Sequence, residues 1–166
     1  PIKSSAASDV YKRQDLEMAR MVSGDPRTGN LLDWLLHNTT MLRYDDVRHF
    51  HFWPQFRAFL LWEMEKECSE EKRRAVFSRG ALYYELKEDY AHALECYTKS
   101  GDHAKISELL IRNSELHPGM GHYSEMEKYY RALPESEILA SPSLMQGMSM
   151  LCALAMDYEG SERWYG

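Results

Sequence analysis

The chain is poor in most of the features that identify self-sufficient enzymes and nucleic-acid binders. Its 166 residues hold three cysteines, Cys68, Cys96 and Cys152, an odd number, far apart and with no C-x-x-C spacing. This excludes a disulfide framework or zinc ribbon and fits reduced thiols in a cytosolic protein, with Cys96 and Cys152 packed as small apolar groups. No apolar stretch nears the roughly 18 residues that span a bilayer, and no signal-peptide h-region occurs. The expectation is a cytoplasmic protein with no membrane partner. Positive charge is also scarce: 20 Lys and Arg against 26 Asp and Glu give a net charge of −6. That balance argues against holding nucleic acid by electrostatics, which needs clustered Lys and Arg. The one dense basic run, Lys72-Arg73-Arg74, follows Glu70 and Glu71 among helix formers and reads as a solvated helix face.

Signatures of catalysis are missing as well. The chain has no Gly-x-Ser-x-Gly elbow, no Gly-x-Gly-x-x-Gly, no Walker A loop and no recognisable Cys–His spacing. Asp25-Pro26-Arg27-Thr28-Gly29 is a turn and not a phosphate cradle. Glu63, Glu65 and Glu67 do not share a helical face, so paired-carboxylate chemistry has no basis. His49 and His51, two apart in a strand, point the same way but lack a third metal ligand nearby. No catalytic residue, metal or cofactor is expected within these residues, and the chain is not expected to be an enzyme.

What the sequence does contain is a register of tyrosines. Tyr90 and Tyr97, Tyr123 and Tyr130, and Tyr158 and Tyr165 are pairs seven residues apart, with starts separated by 33 and 35 residues. The intervening residues recur too: Tyr90-x-x-Ala93-x-x-Cys96-Tyr97, Tyr123-x-x-Met126-x-x-Tyr129-Tyr130 and Tyr158-x-x-Ser161-x-x-Trp164-Tyr165. Positions i, i+3, i+6 and i+7 lie along one face of a helix, and this period is that of a two-helix solenoid repeat. Packing between helices, large residue against small, is the first role for such rings. The second is a concave groove for a ligand or peptide, lined by Tyr90, Tyr97, Tyr123 and Tyr130. The third copy reaches Gly166, so a truncated repeat is expected.

The rest of the chain divides by pattern. Residues 1–14 stand outside it as a non-native or disordered leader, with Ser8–Gln14 similar to a translated adaptor remnant. Asp15–Val22 is a short helix ended by Gly24, with Pro26 at N1 of a helix carrying Leu31, Leu32, Trp34, Leu35 and Leu36, too apolar for the surface. Thr40–Tyr44 and Val47–Phe52 are β-prone runs on either side of Asp45-Asp46, predicting a hairpin with a two-residue tip. Trp53-Pro54 opens a helix bearing Phe56, Phe59, Leu60, Trp62 and Met64. Residues 15–68 thus outline a winged-helix module. From Ser69 to residue 166 only helices are expected: Glu70–Leu86 presenting Val76, Phe77, Leu82, Tyr83 and Leu86, then Tyr90–Thr98, His103–Leu116 and Tyr123–Leu133. Pro118-Gly119 and Gly121 punctuate before the last of these. Pro134–Glu137 begins a connector, and Ser141-Pro142 caps a largely apolar helix. The fold class is mostly α: a winged-helix module with a short β-hairpin, then a TPR-like α-solenoid of antiparallel helix pairs.

Several of these stretches resemble a known family. His51-Phe52-Trp53-Pro54-Gln55-Phe56-Arg57-Ala58-Phe59-Leu60-Leu61 looks like the end of the winged-helix domain of MalT-like, LuxR-family ATP-dependent transcriptional regulators. Tyr83-Tyr84, Ala91-His92-Ala93-Leu94, Ser100–Leu110, Tyr130-Arg131-Ala132-Leu133-Pro134 and Ser141-Pro142-Ser143-Leu144 are similar to the start of that family's helical sensor region. The likeness covers about residues 15–166. It implies a signal-responsive regulator in which this chain lies between an ATPase core and a DNA-binding helix-turn-helix, both outside it. The implied partners are the nucleotide-binding domain and further repeats of the full-length chain, plus a small-molecule or protein effector; ATP or ADP belongs to the full-length protein. His51 and Trp53 are the implied interdomain contacts. Trp53 stands where the family often has His, so a phosphate contact from that position does not carry over. The rival outline is a stand-alone helical-repeat scaffold for protein partners. Direct DNA binding is not expected, because Asn30–Asn38 carries no Lys or Arg and includes Asp33.

Overall fold

The computed structural model describes residues 15–44, 49–116 and 120–165. Those residues are mostly helical, forming ten helices and one two-stranded antiparallel sheet. The chain divides into two compact units, Pro1–Tyr83 and Tyr84–Gly166. No helix among the described residues is long and apolar enough to cross a membrane.

In the first unit, α1 (Leu16–Ser23) starts at Asp15, whose carboxylate accepts from the Met18 N–H at 2.7 Å. It ends at Gly24, which takes the left-handed φ of 68° and donates its N–H to the Arg20 carbonyl. Helix α2 (Thr28–Asn38) begins two residues later than Pro26 at N1 would place it. Asp25 is the reason: its carboxylate accepts the Arg27 N–H at 2.8 Å, and its carbonyl accepts both the N–H and the hydroxyl of Thr28. Those bonds hold residues 25–27 in a turn.

Strands β1 (Leu42–Tyr44) and β2 (Phe50–Phe52) pair with Leu42 opposite Phe52, Arg43 opposite His51 and Tyr44 opposite Phe50. A two-residue tip would have set Tyr44 against Val47, so the hairpin closes with a longer connection than the sequence predicts. Asp45, Asp46, Val47 and Arg48 lie outside the described residues. The register turns Leu42 and Phe50 inward, onto Leu32 of α2, with Leu16, Ala19, Leu35, Leu36 and Phe52 packed around them. Leu32, Leu35 and Leu36 stand at i, i+3 and i+4 and face this core. Leu31 and Trp34 fall on the other side of α2 and are exposed, contrary to the expectation of an all-buried helix.

Pro54 occupies N1 of α3 (Pro54–Glu67), with Trp53 at the N-cap. No residue of α3 is buried, although the helix is apolar on several sides. Helix α4 (Glu70–Leu86) buries Gly80, Ala81 and Tyr83, whereas Leu82 and Leu86 are exposed and take no part in the core. Arg79 Nε donates to the Val22 carbonyl at 2.7 Å and the Tyr83 hydroxyl to Asp15 at 2.5 Å, which fastens α4 to both ends of α1.

The second unit contains α5 (Tyr90–Ser100), α6 (His103–Leu116), α7 (Met120–Ala132), the short α8 (Glu135–Leu139), α9 (Pro142–Leu154) and α10 (Tyr158–Tyr165). Helices pack on their neighbours in sequence, α5 on α6, α6 on α7 and α9 on α10, and also on the next but one, α5 on α7 and α7 across α8 on α9. The expected connector after Pro134 is α8 itself, and Gly121 lies inside α7, not ahead of it. Pro118 and Gly119 fall outside the described residues.

One turn recurs in detail. Glu88 and Met156, two residues ahead of Tyr90 and Tyr158, adopt φ values of 60° and 59°. Their N–H groups donate to Glu85 and Ala153, and those of Asp89 and Asp157 reach back to Tyr84 and Cys152, both at 2.9 Å. Asp89 then accepts the His92 N–H and Asp157 the Gly160 N–H, capping the helix that follows. The left-handed conformation is costly for a residue with a Cβ. Glu88→Gly and Met156→Gly should therefore each raise stability by about 1 kcal/mol, measured by urea unfolding, and a loss at either site would contradict the shared turn.

Candidate functional site

The first two pairs of the tyrosine register are packed within the second unit, whereas Tyr158 and Tyr165 of the third are exposed. Tyr97, Tyr123 and Tyr130 are buried and Tyr90 is half-buried. The Tyr123 and Tyr130 rings lie 6.2 Å apart at 44°. Tyr130, 1% exposed, meets the bare Cα of Gly147 on α9, where an added Cβ would stand 2.5 Å from the ring. A large residue thus seats against a small one on the next helix, which sets how closely α7 and α9 approach. The Tyr97 hydroxyl donates to Glu85 at 2.7 Å, and burial first, then this carboxylate, push its pKa well above the ordinary phenol value. Tyr129 donates its hydroxyl to the Ala91 carbonyl at 3.2 Å. Of the four candidate groove residues, Tyr90 keeps an accessible ring, with the Arg112 guanidinium 5.1 Å from its centroid.

Cys96 is buried on the same helix as Tyr97, and desolvation pushes its thiol up to about 11. The native thiol should resist a thiol-specific reagent at neutral pH while half-buried Cys68 reacts, and denaturant should abolish the difference. Because the folded pKa lies above the ordinary 9.0, this group's stabilising effect is intact below about 9 and is lost as pH rises toward 11.

The first unit carries the exposed candidates. His51 on β2 faces Arg43 across the sheet and is half-buried. Trp53 donates its backbone N–H to the Met41 carbonyl at 2.9 Å, which fixes the corner between β2 and α3. Its ring is exposed, and with Arg43, Phe52 and Pro54 it surrounds a recess of about 140 Å³ with a mainly apolar lining. The structure therefore brings Trp53 and Arg43 to one recess.

A second feature was not legible as a site. Phe50, Phe52, Phe56, Phe59 and Trp62 form a chain of ring contacts with centroids 5.7 to 6.4 Å apart, starting in the hairpin core and running out along α3. Phe50 is 1% exposed, while Phe59 and Trp62 are 51% and 55% exposed, and Lys66 Nζ lies 5.1 Å over the Trp62 ring. Leu60 and Leu61 add exposed aliphatic surface beside them. The spacing 56, 59, 62 was the available signal, since i+3 steps set rings side by side on a helix.

Among the described residues no group of three or more His, Cys, Asp or Glu side chains could hold a metal ion. No family model matches the chain, and neither does any curated protein or solved structure.

Proposed function

We propose that these residues are the regulatory and interaction region of a signal-responsive, ATP-dependent transcriptional regulator of the MalT-like kind, with a winged-helix-like first unit and TPR-like repeats in the second. The observation that carries this reading is the exposed aromatic path on α3, continuous with the hairpin core and next to the Trp53 recess. Large apolar surface with cationic side chains beside it, here Arg43 at the recess and Lys66 over Trp62, is the form that protein interaction sites take. In this reading the hairpin and α3 rest against the nucleotide-binding domain of the longer protein and hold it closed, with Trp53 and His51 at the contact. Support for the repeats comes from the recurring turn before Tyr90 and Tyr158 and from the Tyr130–Gly147 pairing. An effector bound to the repeats would shift the population toward an open form that self-associates. ATP or ADP would bind the neighbouring domain, and neither catalysis nor direct DNA contact is assigned to this chain.

Static light scattering on the full-length protein tests this directly. Trp53→Asp should weaken the closing contact, so the variant associates in ATP without effector while the unmodified protein stays monomeric. A variant that remains monomeric in ATP would overturn the proposal and leave the stand-alone repeat scaffold in its place.

A further inference from the structure

Helix α3 has two sides of different character. Phe56, Arg57, Glu63 and Met64 are half-buried, whereas Ala58, Leu61, Trp62 and Glu65, at i, i+3, i+4 and i+7, are all exposed. Phe59 flanks this exposed stripe, its ring 6.4 Å from Trp62. Charge is divided along the helix as well. Arg57 is the one charged residue of the first half, and the acids Glu63, Glu65 and Glu67 all lie in the second. Lys66 is held by Glu67 at 3.3 Å, but the side chains of Arg57, Glu63 and Glu65 have no ionic partner among the described residues. Arg57 lies one turn before Leu61 and Glu65 one turn after it. They stand about 12 Å apart along the axis, too far to meet within one helix.

That division is self-complementary. A second α3 laid antiparallel, with Leu61 at the two-fold axis, sets Arg57 of each copy beside Glu65 of the other, because the two positions are equidistant from 61. The same register brings each Trp62 ring to the partner's Phe59. A parallel copy would oppose Arg57 to Arg57 and Glu65 to Glu65, where like charges repel. We infer that the Ala58–Leu61–Trp62–Glu65 side of α3 docks a second copy of this chain, antiparallel, through two Arg57–Glu65 ion pairs around an apolar centre. Phe59, Leu61 and Trp62 are 51%, 40% and 55% exposed. Aromatic side chains present about 150 to 250 Å² each, so the stripe offers roughly a few hundred Å² per copy. Stable complexes bury about 800 Å² per partner. The pairing is therefore weak, with Kd about 0.1 mM, and the chain is monomeric at micromolar concentration. This inference does not depend on the regulator proposal.

Sedimentation equilibrium of the whole chain from about 5 to 500 µM tests it, a range that brackets the expected Kd. A monomer–dimer equilibrium is expected. Arg57→Glu and Glu65→Arg should each weaken it about tenfold, because each replaces two attractions by two repulsions, and the double reversal should restore it. Glu65 is exposed, so Glu65→Arg should fold unchanged, with an unaltered circular dichroism spectrum as the check. Three results would overturn the inference. The chain stays monomeric throughout, which leaves the stripe to a different protein; it dimerises equally well with Glu65→Arg, which places the contact elsewhere; or the double reversal fails to restore what the single reversals lose.

Discussion

Tyr130→Ala should destabilise the protein by about 4 kcal/mol, among the largest single-residue effects in the chain. Tyr130 is one of the largest fully buried side chains, 1% exposed, and no hydrogen bond from its hydroxyl to the described residues complicates the deletion. Removing the ring takes away its transfer free energy and opens a cavity between α7 and α9. Gly147 has no side chain with which to fill that cavity, and Tyr123, 6.2 Å away, is itself packed. Poor collapse places the cost in the upper part of the range for aromatic deletions. Tyr165→Ala, at the equivalent position of the third tyrosine pair in the sequence, should change stability by no more than about 0.5 kcal/mol, because that ring is exposed. Urea unfolding followed by circular dichroism measures both, and similar losses at the two tyrosines would contradict the packing described.

Phe50→Ala should cost the first unit about 3 to 5 kcal/mol. That unit has a small core, with Leu32, Leu42 and Phe50 buried and the other apolar neighbours only partly so. Phe50 also meets Tyr44 and Phe52 edge-on, at 6.5 and 5.7 Å, contacts that add to its burial. With the ring gone, the three-residue strands lose the side chain that holds them on α2, so the hairpin should lose order along with the core. Phe59→Ala, in the same ring path but half-exposed on α3, should change stability by under about 1 kcal/mol. Comparing the two by tryptophan fluorescence during urea unfolding separates a core ring from a surface ring. Equal losses would mean that α3 is covered in the isolated chain.

The contrast between those rings marks the limit of what the sequence could disclose. Helical register was plain: Glu70–Leu86 and His103–Leu116 have the bounds their apolar spacing and breakers indicate, and the tyrosine pairs of α5 and α7 lie on buried faces. Periodicity assigns a residue to a face but does not say whether another element lies opposite. Leu31, Trp34, Phe59, Trp62 and Leu86 were therefore indistinguishable from core residues until the tertiary arrangement was known. The hairpin register was hidden for a different reason. Alternation runs unbroken from Val47 to Phe52, and no glycine marks the turn, so several pairings satisfied the same pattern. The left-handed residues Glu88 and Met156 escaped notice because neither is Gly or Asn, the residues that normally announce that conformation.

The seating of Tyr130 on Gly147 is the contact on which the packing described for the second unit most depends. A double-mutant cycle across it, read by urea unfolding, is the most direct test. In the unmodified chain Gly147→Leu should cost about 2 kcal/mol, the overlap with the Tyr130 ring outweighing the better helix propensity of leucine. In the Tyr130→Ala background the same substitution should be neutral or stabilising, because leucine fills the space the ring vacated. A cost that is the same in both backgrounds to within about 0.5 kcal/mol would show that the two positions do not interact, and the account would fail.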